Sequence, residues 1–114
     1  MKLENKVAIV TGGGTGVGRA TSLQLAAEGC AIVVNYSHSA KDAGNTVSEI
    51  RENGGRALAH RADVADDPQV REMVDATTRK FGQLDILVNN AGTTEFISFR
   101  DLDAVTPGTW DRIM

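Results

Sequence analysis

A chain of 114 residues with 15 acidic and 12 basic side chains has room for one domain and carries a formal net charge of −3. With no basic block, this balance argues against nucleic acid or an anionic membrane as partner, and no stretch approaches the ~20 apolar residues of a membrane span. The lone Cys30 cannot close an internal disulfide, and Lys2, Glu4 and Lys6 leave no room for a secretion signal, so a cytoplasmic location is expected with Cys30 as a small buried packing residue.

Periodicity alternates in chain order. Val7-Ala8-Ile9-Val10 is a short apolar run, as a strand buried on both faces should be. The glycine-dense stretch Thr11–Gly18 follows. A helix comes next, with Val17, Ala20, Leu23 and Ala27 on one face and Gly29 as its stop. Ala31-Ile32-Val33-Val34 is a second buried strand. Ser39 and Asp42 have the spacing of a capping box that opens a helix through Ala43, Val47 and Ile50, ending at Asn53-Gly54-Gly55. Ala57–Arg61 reads as a third strand whose polar interruptions suit a sheet edge. Asp67 is the expected cap of the next helix, with Pro68 in its first position and Gly82 at its end. Leu84, Ile86, Leu87 and Val88 form a fourth strand. Thr93–Ser98, with Phe96 and then Phe99, reads as a loop. Thr106 and Pro107 open a further helix, with Val105 and Trp110 spaced as a hydrophobic staple.

This alternation implies an α/β fold: a Rossmann-like, doubly wound parallel sheet of order 3-2-1-4, stopping short of a fifth strand. Residues 1–114 form a single dinucleotide-binding domain, expected to be incomplete at its C-terminal end. In such sheets ligands bind at the C-terminal strand ends, beside the point where strand order reverses. Two segments meet there: Thr11–Gly18 after the first strand, and Asn89-Asn90-Ala91-Gly92 after the fourth.

A strand, a glycine turn and a helix start together make an anion site, because helix N–H groups and their dipoles face the ligand. The triphosphate loop G-x-x-x-x-G-K-[ST] fails here, since Arg19 replaces lysine and Ala20 replaces the hydroxyl. G-x-G-x-x-G fails as well, requiring glycine at Val17 or at Arg19. T-G-x-x-x-G-x-G fits, with Thr11, Gly12, Gly16 and Gly18. The first glycine permits the turn, the second admits a pyrophosphate, and the third lets helix meet strand. A ligand-free glycine turn is the competing reading.

On these three segments, Thr11–Gly18, Asp63-Val64 and Asn89–Gly92, the sequence resembles the short-chain dehydrogenases/reductases over nearly its whole length. The resemblance implies that Gly12, Thr15, Gly16, Val17 and Gly18 wrap the pyrophosphate of a nicotinamide dinucleotide. It places Asp63 and Val64 at the adenine, and Asn90, Ala91 and Gly92 along the ribose towards the nicotinamide. Asn89 would tie neighbouring strands, and serving a turn is the lesser, alternative reading of Asp63.

The residue after the second strand selects between NAD and NADP, a carboxylate there favouring NAD. That position is Tyr36, followed by Ser37 and His38, and no acid occurs before Asp42. Ser37 and His38 could donate to a 2′-phosphate, with Lys41 or Arg19 adding charge, so NADP(H) is favoured over NAD(H). His60 reads as an edge-strand side chain, and no metal constellation is present.

Catalytic residues are another matter. The family's Tyr, its Lys four residues later, the Ser and the proton-relaying Asn have no counterpart in residues 1–114, where Tyr36 is the single tyrosine. By resemblance the intact protein is an NAD(P)(H)-dependent oxidoreductase interconverting a small carbonyl and an alcohol, with 3-oxoacyl reductases among its analogues, and a homo-oligomer. This chain then represents the cofactor half and is expected to be inactive alone, marginally stable and prone to pair edge to edge. A non-catalytic dinucleotide-binding module or inactive truncated product is the alternative.

Overall fold

The structure of the chain, a computed structural model, describes residues 3–90 and the strand at 96–98. Four parallel strands, β1 (Val7–Val10), β2 (Ala31–Tyr36), β3 (Ala57–Arg61) and β4 (Ile86–Val88), alternate with α1 (Gly16–Ala27), α2 (Ala40–Glu52) and α3 (Asp67–Phe81). The sheet runs β3-β2-β1-β4-β5, so the four parallel strands stand in the expected order. A short β5 (Phe96–Ser98) pairs antiparallel with β4, Leu87 opposite Ile97. Part of the segment expected to be loop is therefore strand, and it satisfies backbone groups on β4 that would otherwise stand at a sheet edge. Ala91, Gly92, Thr93, Phe99 and the expected helix opened by Thr106 lie outside the described residues.

Side chains alternate along β1 and β2, giving each face its own core. Ala8, Val10, Ile32 and Val34 pack with Leu25 of α1 and with Val47 and Ile50 of α2. Ile9, Val33 and Leu87 pack on the opposite face with Val70, Met73 and Val74 of α3. Burying each such aliphatic side chain contributes ~1.5–3 kcal/mol, and the apolar runs of β1 and β2 are required because helices cover both faces.

All three helices depart from expectation in detail. The buried residues of α1 are Gly18, Ser22 and Leu25, whereas Ala20 and Ala27 are exposed, Leu23 is half-buried and Val17 is 66% exposed. Contact with the glycine turn, rather than apolar content, sets the rotation of this helix. Ser22 Oγ donates to the carbonyl oxygens of Gly13 and Gly18 at 3.1 and 2.9 Å, so a hydroxyl must face inward. In α3 the N-cap is Asp66, one residue before the expected Asp67, and its carboxylate accepts from Gln69 Nε2 at 2.8 Å. Ser39 is the N-cap of α2 as expected, but no side-chain cap bond forms there. The expected stops hold, with Gly29, Gly54 and Gly82 all at positive φ.

Candidate functional site

The C-terminal ends of β1, β2, β3 and β4 converge on one rim, and the turn from Thr11 to Thr15 forms its centre. Thr11 joins β1 to β4: its N–H donates to Val88 O at 3.0 Å, and its Oγ1 donates to the same oxygen at 3.2 Å. That hydroxyl also accepts from Asn90 N at 2.9 Å, while Asn90 Nδ2 reaches Gly12 O at 3.5 Å. Two motifs separated by most of the chain thus share a hydrogen-bonded junction. Asn89 beside it is buried.

Asn35, at the end of β2, was not singled out by any motif, yet it fixes the turn. Its Oδ1 accepts from Gly12 N at 3.3 Å, and its backbone oxygen accepts from Gly13 N at 3.1 Å. Its Nδ2 donates to Ala62 O at 3.1 Å, tying the same side chain to the end of β3. A polar residue closing an apolar strand was the available signal. The N–H groups of Gly12 and Gly13 are consequently bonded to Asn35, which shapes the turn.

The donors lie further along. The first described bond to an N–H of α1 runs from Arg19 N to Thr15 O at 3.1 Å, and among the described residues the N–H groups of Gly16, Val17 and Gly18 meet no protein acceptor. These are the orphan donors of a helix start, at its positive dipole end. Gly16 has φ +53° and its absent Cβ would meet nothing within 4 Å, so the backbone there is open to a ligand. Gly18 is the opposite case, because a Cβ would lie 2.0 Å from Gly12 O. The two glycines thus differ: the backbone at Gly16 is open, while Gly18 lets the start of α1 close against the turn at Gly12. Gly14, which the motif left unassigned, needs its missing side chain as well: a Cβ would stand 2.8 Å from the backbone of Ala43 in α2.

Beside the turn lie two clefts. One, of about 180 Å³, is bounded by Thr11, Gly12, Asn35, Asp63, Val64 and Asn90. The other, of about 200 Å³, is bounded by Gly12, Thr15, Tyr36, Ser37 and His38. Both touch Gly12, Asn35 and Ser37, so they form one groove across the strand ends. Of the expected site residues, Gly16, Val17 and Gly18 stand at the helix start rather than in a cleft wall. Asp63 is exposed, and its Oδ1 accepts from Ala65 N at 2.9 Å, an Asx-turn bond that occupies one carboxylate oxygen.

The charges expected to assist are distributed differently. Arg19 is turned to α2, where its guanidinium pairs with Glu49 and donates to Thr46 Oγ1 at 3.1 Å, so its charge is already balanced. Arg61, at the end of β3, donates from Nε to Ser37 O at 3.2 Å. His60 is half-buried on the edge strand, with Nδ1 shielded and unpartnered among the described residues. Cys30 sits at the other end of the sheet, where burial, followed by the nearby Asp85 carboxylate, pushes its thiol up to about 11 against a weaker opposing effect of Arg56. Among the described residues no three His, Cys, Asp or Glu side chains are grouped to hold a metal, and no helix is long and apolar enough to cross a membrane.

A parallel sheet of order 3-2-1-4, with a glycine turn after its central strand and open helix N–H groups beside a groove, is a Rossmann-like nucleotide-binding domain. The family described as short chain dehydrogenase matches residues 6–114. The chain belongs to that family, whose members bind NAD(P). It is 47% identical over 106 residues to the short-chain dehydrogenase/reductase homolog YusS of Bacillus subtilis, covering 93% of this chain and 97% of that protein. It is 42% identical over 112 residues to a probable tetrahydroxynaphthalene reductase of Zymoseptoria tritici, covering 98% of this chain but 41% of that one. A short chain dehydrogenase from Burkholderia cenocepacia, solved in complex with NADP, superposes with a TM-score of 0.77 at 43% identity, over 99% of this chain and 45% of its own.

Proposed function

We propose that this chain is the cofactor-binding part of an NAD(P)(H)-dependent oxidoreductase that interconverts a small carbonyl compound and an alcohol, with NADP(H) as the preferred dinucleotide. The observation that carries the reading is the row of N–H groups at Gly16, Val17 and Gly18, open to an anion at the head of the groove. When bound, the nicotinamide supplies or accepts the hydride. The residues of this chain bind and orient: the start of α1 holds the pyrophosphate, and Asp63 and Val64 flank the adenine. Tyr36, Ser37 and His38 line the adenosine end of the groove, and Asn90, with Ala91 and Gly92 after it, leads towards the nicotinamide.

Tyr36 is the single tyrosine, and it borders the cleft at the end of β2 rather than the β4 side where Asn90 stands. In this reading Tyr36 therefore serves cofactor binding and not proton transfer. 3-Oxoacyl thioesters are among the carbonyl substrates we favour for the intact protein, which we expect to act as a homo-oligomer. A second reading, a dinucleotide-binding module without catalysis, is favoured by the near-equal length of the Bacillus subtilis relative, 97% of which this chain spans.

NADPH fluorescence tests the shared premise. Gly16→Asp places a carboxylate where the phosphates sit, on a backbone at φ +53°. It should weaken binding at least tenfold, whereas equal binding by both chains would refute the phosphate-loop assignment. Reading the coding sequence downstream of Met114 then separates the two: a Y-x-x-x-K motif with an upstream serine supports the oxidoreductase, and a stop codon supports the module.

A further inference from the structure

We infer that Arg61 is the cofactor-specificity residue of this groove, supplying the charge that recognises the 2′-phosphate of NADP(H). The inference rests on the dinucleotide reading above and adds a residue that no motif indicated. Arg61 ends the edge strand β3, in register with Tyr36 at the end of β2. From there its Nε donates to Ser37 O at 3.2 Å, which fastens the guanidinium to the segment that follows β2. Ser37 borders both clefts of the groove, and the neighbouring Tyr36 and His38 border the second.

A guanidinium carries five N–H donors in a planar fork, so anchoring through Nε leaves both Nη groups for an incoming anion. The anchor also removes much of the entropy that a mobile surface arginine would lose on binding. Among the described residues the one ion pair joins Arg19 to Glu49, so Arg61 is not ion-paired. The other arginines of this half of the sheet are engaged elsewhere. Arg51 donates to Ala57 O at the far end of β3, and Arg56 lies over the Phe81 ring. Lys41 shares the first turn of α2 with Asp42. With no acid between Asn35 and Lys41 to repel a phosphate, the segment suits an anion whose charge Arg61 balances.

The test is direct binding of NADPH and of NADH to the unsubstituted chain, to Arg61→Met and to Arg61→Lys, followed calorimetrically. Methionine keeps an unbranched stem at an exposed position, and circular dichroism verifies that each variant folds. Arg61→Met should weaken NADPH binding about tenfold to a hundredfold, the span expected for a charge-assisted hydrogen bond, and leave NADH binding within about twofold. Arg61→Lys should recover part of the loss. If NADPH and NADH weaken equally, Arg61 only positions the Ser37 segment and the inference is wrong. It is also wrong if NADPH binding is unchanged, or if the unsubstituted chain prefers NADH. Failure of the unsubstituted chain to bind either dinucleotide would overturn the function proposed above, and this inference with it.

Discussion

Neighbouring residues of the glycine turn differ sharply in the space around them. Gly18 has no room for even a methyl group against Gly12 O, while Gly16, two positions earlier, has nothing near it. The same turn thus contains one glycine required by packing and one whose surroundings are open. Cys30 shows the other face of burial. The residue is 1% exposed, and burial pushes its thiol up from 9.0 to about 11. A proton retained longer in the folded than in the unfolded chain stabilises the fold at pH values below the unfolded pKa, and that contribution disappears as pH rises through the folded one. Stability should therefore fall between pH 9 and about 11, by about 2–3 kcal/mol from this group. Urea titrations across that range should show a shallower decline for Cys30→Ala; an identical decline would mean that the thiol contributes nothing. At neutral pH a thiol reagent should modify Cys30 only after unfolding.

Between elements, the contacts that matter are polar junctions at strand ends. The Arg19–Glu49 pair joins α1 to α2, but the two side chains are 38% and 41% exposed, so solvent screening leaves it well under about 1 kcal/mol. Asn35 is only 3% exposed and connects three segments: the glycine turn, β2 and the end of β3. Replacing it with leucine keeps the branching of the side chain but leaves Gly12 N–H and Ala62 C=O without their partner. Each abandoned group costs about 1–3 kcal/mol where water cannot reach it. Asn35→Leu should lower unfolding free energy by at least about 2 kcal/mol in a urea titration and weaken dinucleotide binding as well, since the turn loses its template. An unchanged midpoint would show that the turn is held by Thr11 and Ser22 without Asn35.

At the scale of the molecule, strand order, the two-faced core and the placement of the glycine turn were legible because each follows from periodicity. Apolar runs of four residues cannot be exposed, and helices between parallel strands have one permitted handedness. The turn was legible where a motif concentrates glycines, at Gly12, Gly16 and Gly18. Asn35 and Arg61 were not legible, because their roles arise from register: Asn35 lies opposite His60, and Arg61 opposite Tyr36. The buried face of α1 was misjudged for a related reason, since carbonyl groups of the turn need the Ser22 hydroxyl more than they need an aliphatic side chain. One expectation joins every part of the groove. A ligand that binds only the folded chain stabilises it by RT ln(1 + [L]/Kd), or ~2.7 kcal/mol at a hundredfold excess over Kd. For a domain of about this size each kcal/mol moves Tm by roughly 4 °C or more. NADPH at a hundred times its Kd should therefore raise the melting temperature by about 10 °C. Gly16→Asp should cancel most of that rise at the same concentration, and Arg61→Met should reduce it for NADPH but not for NADH. A melting temperature indifferent to both dinucleotides would mean that the strand ends do not form the binding groove.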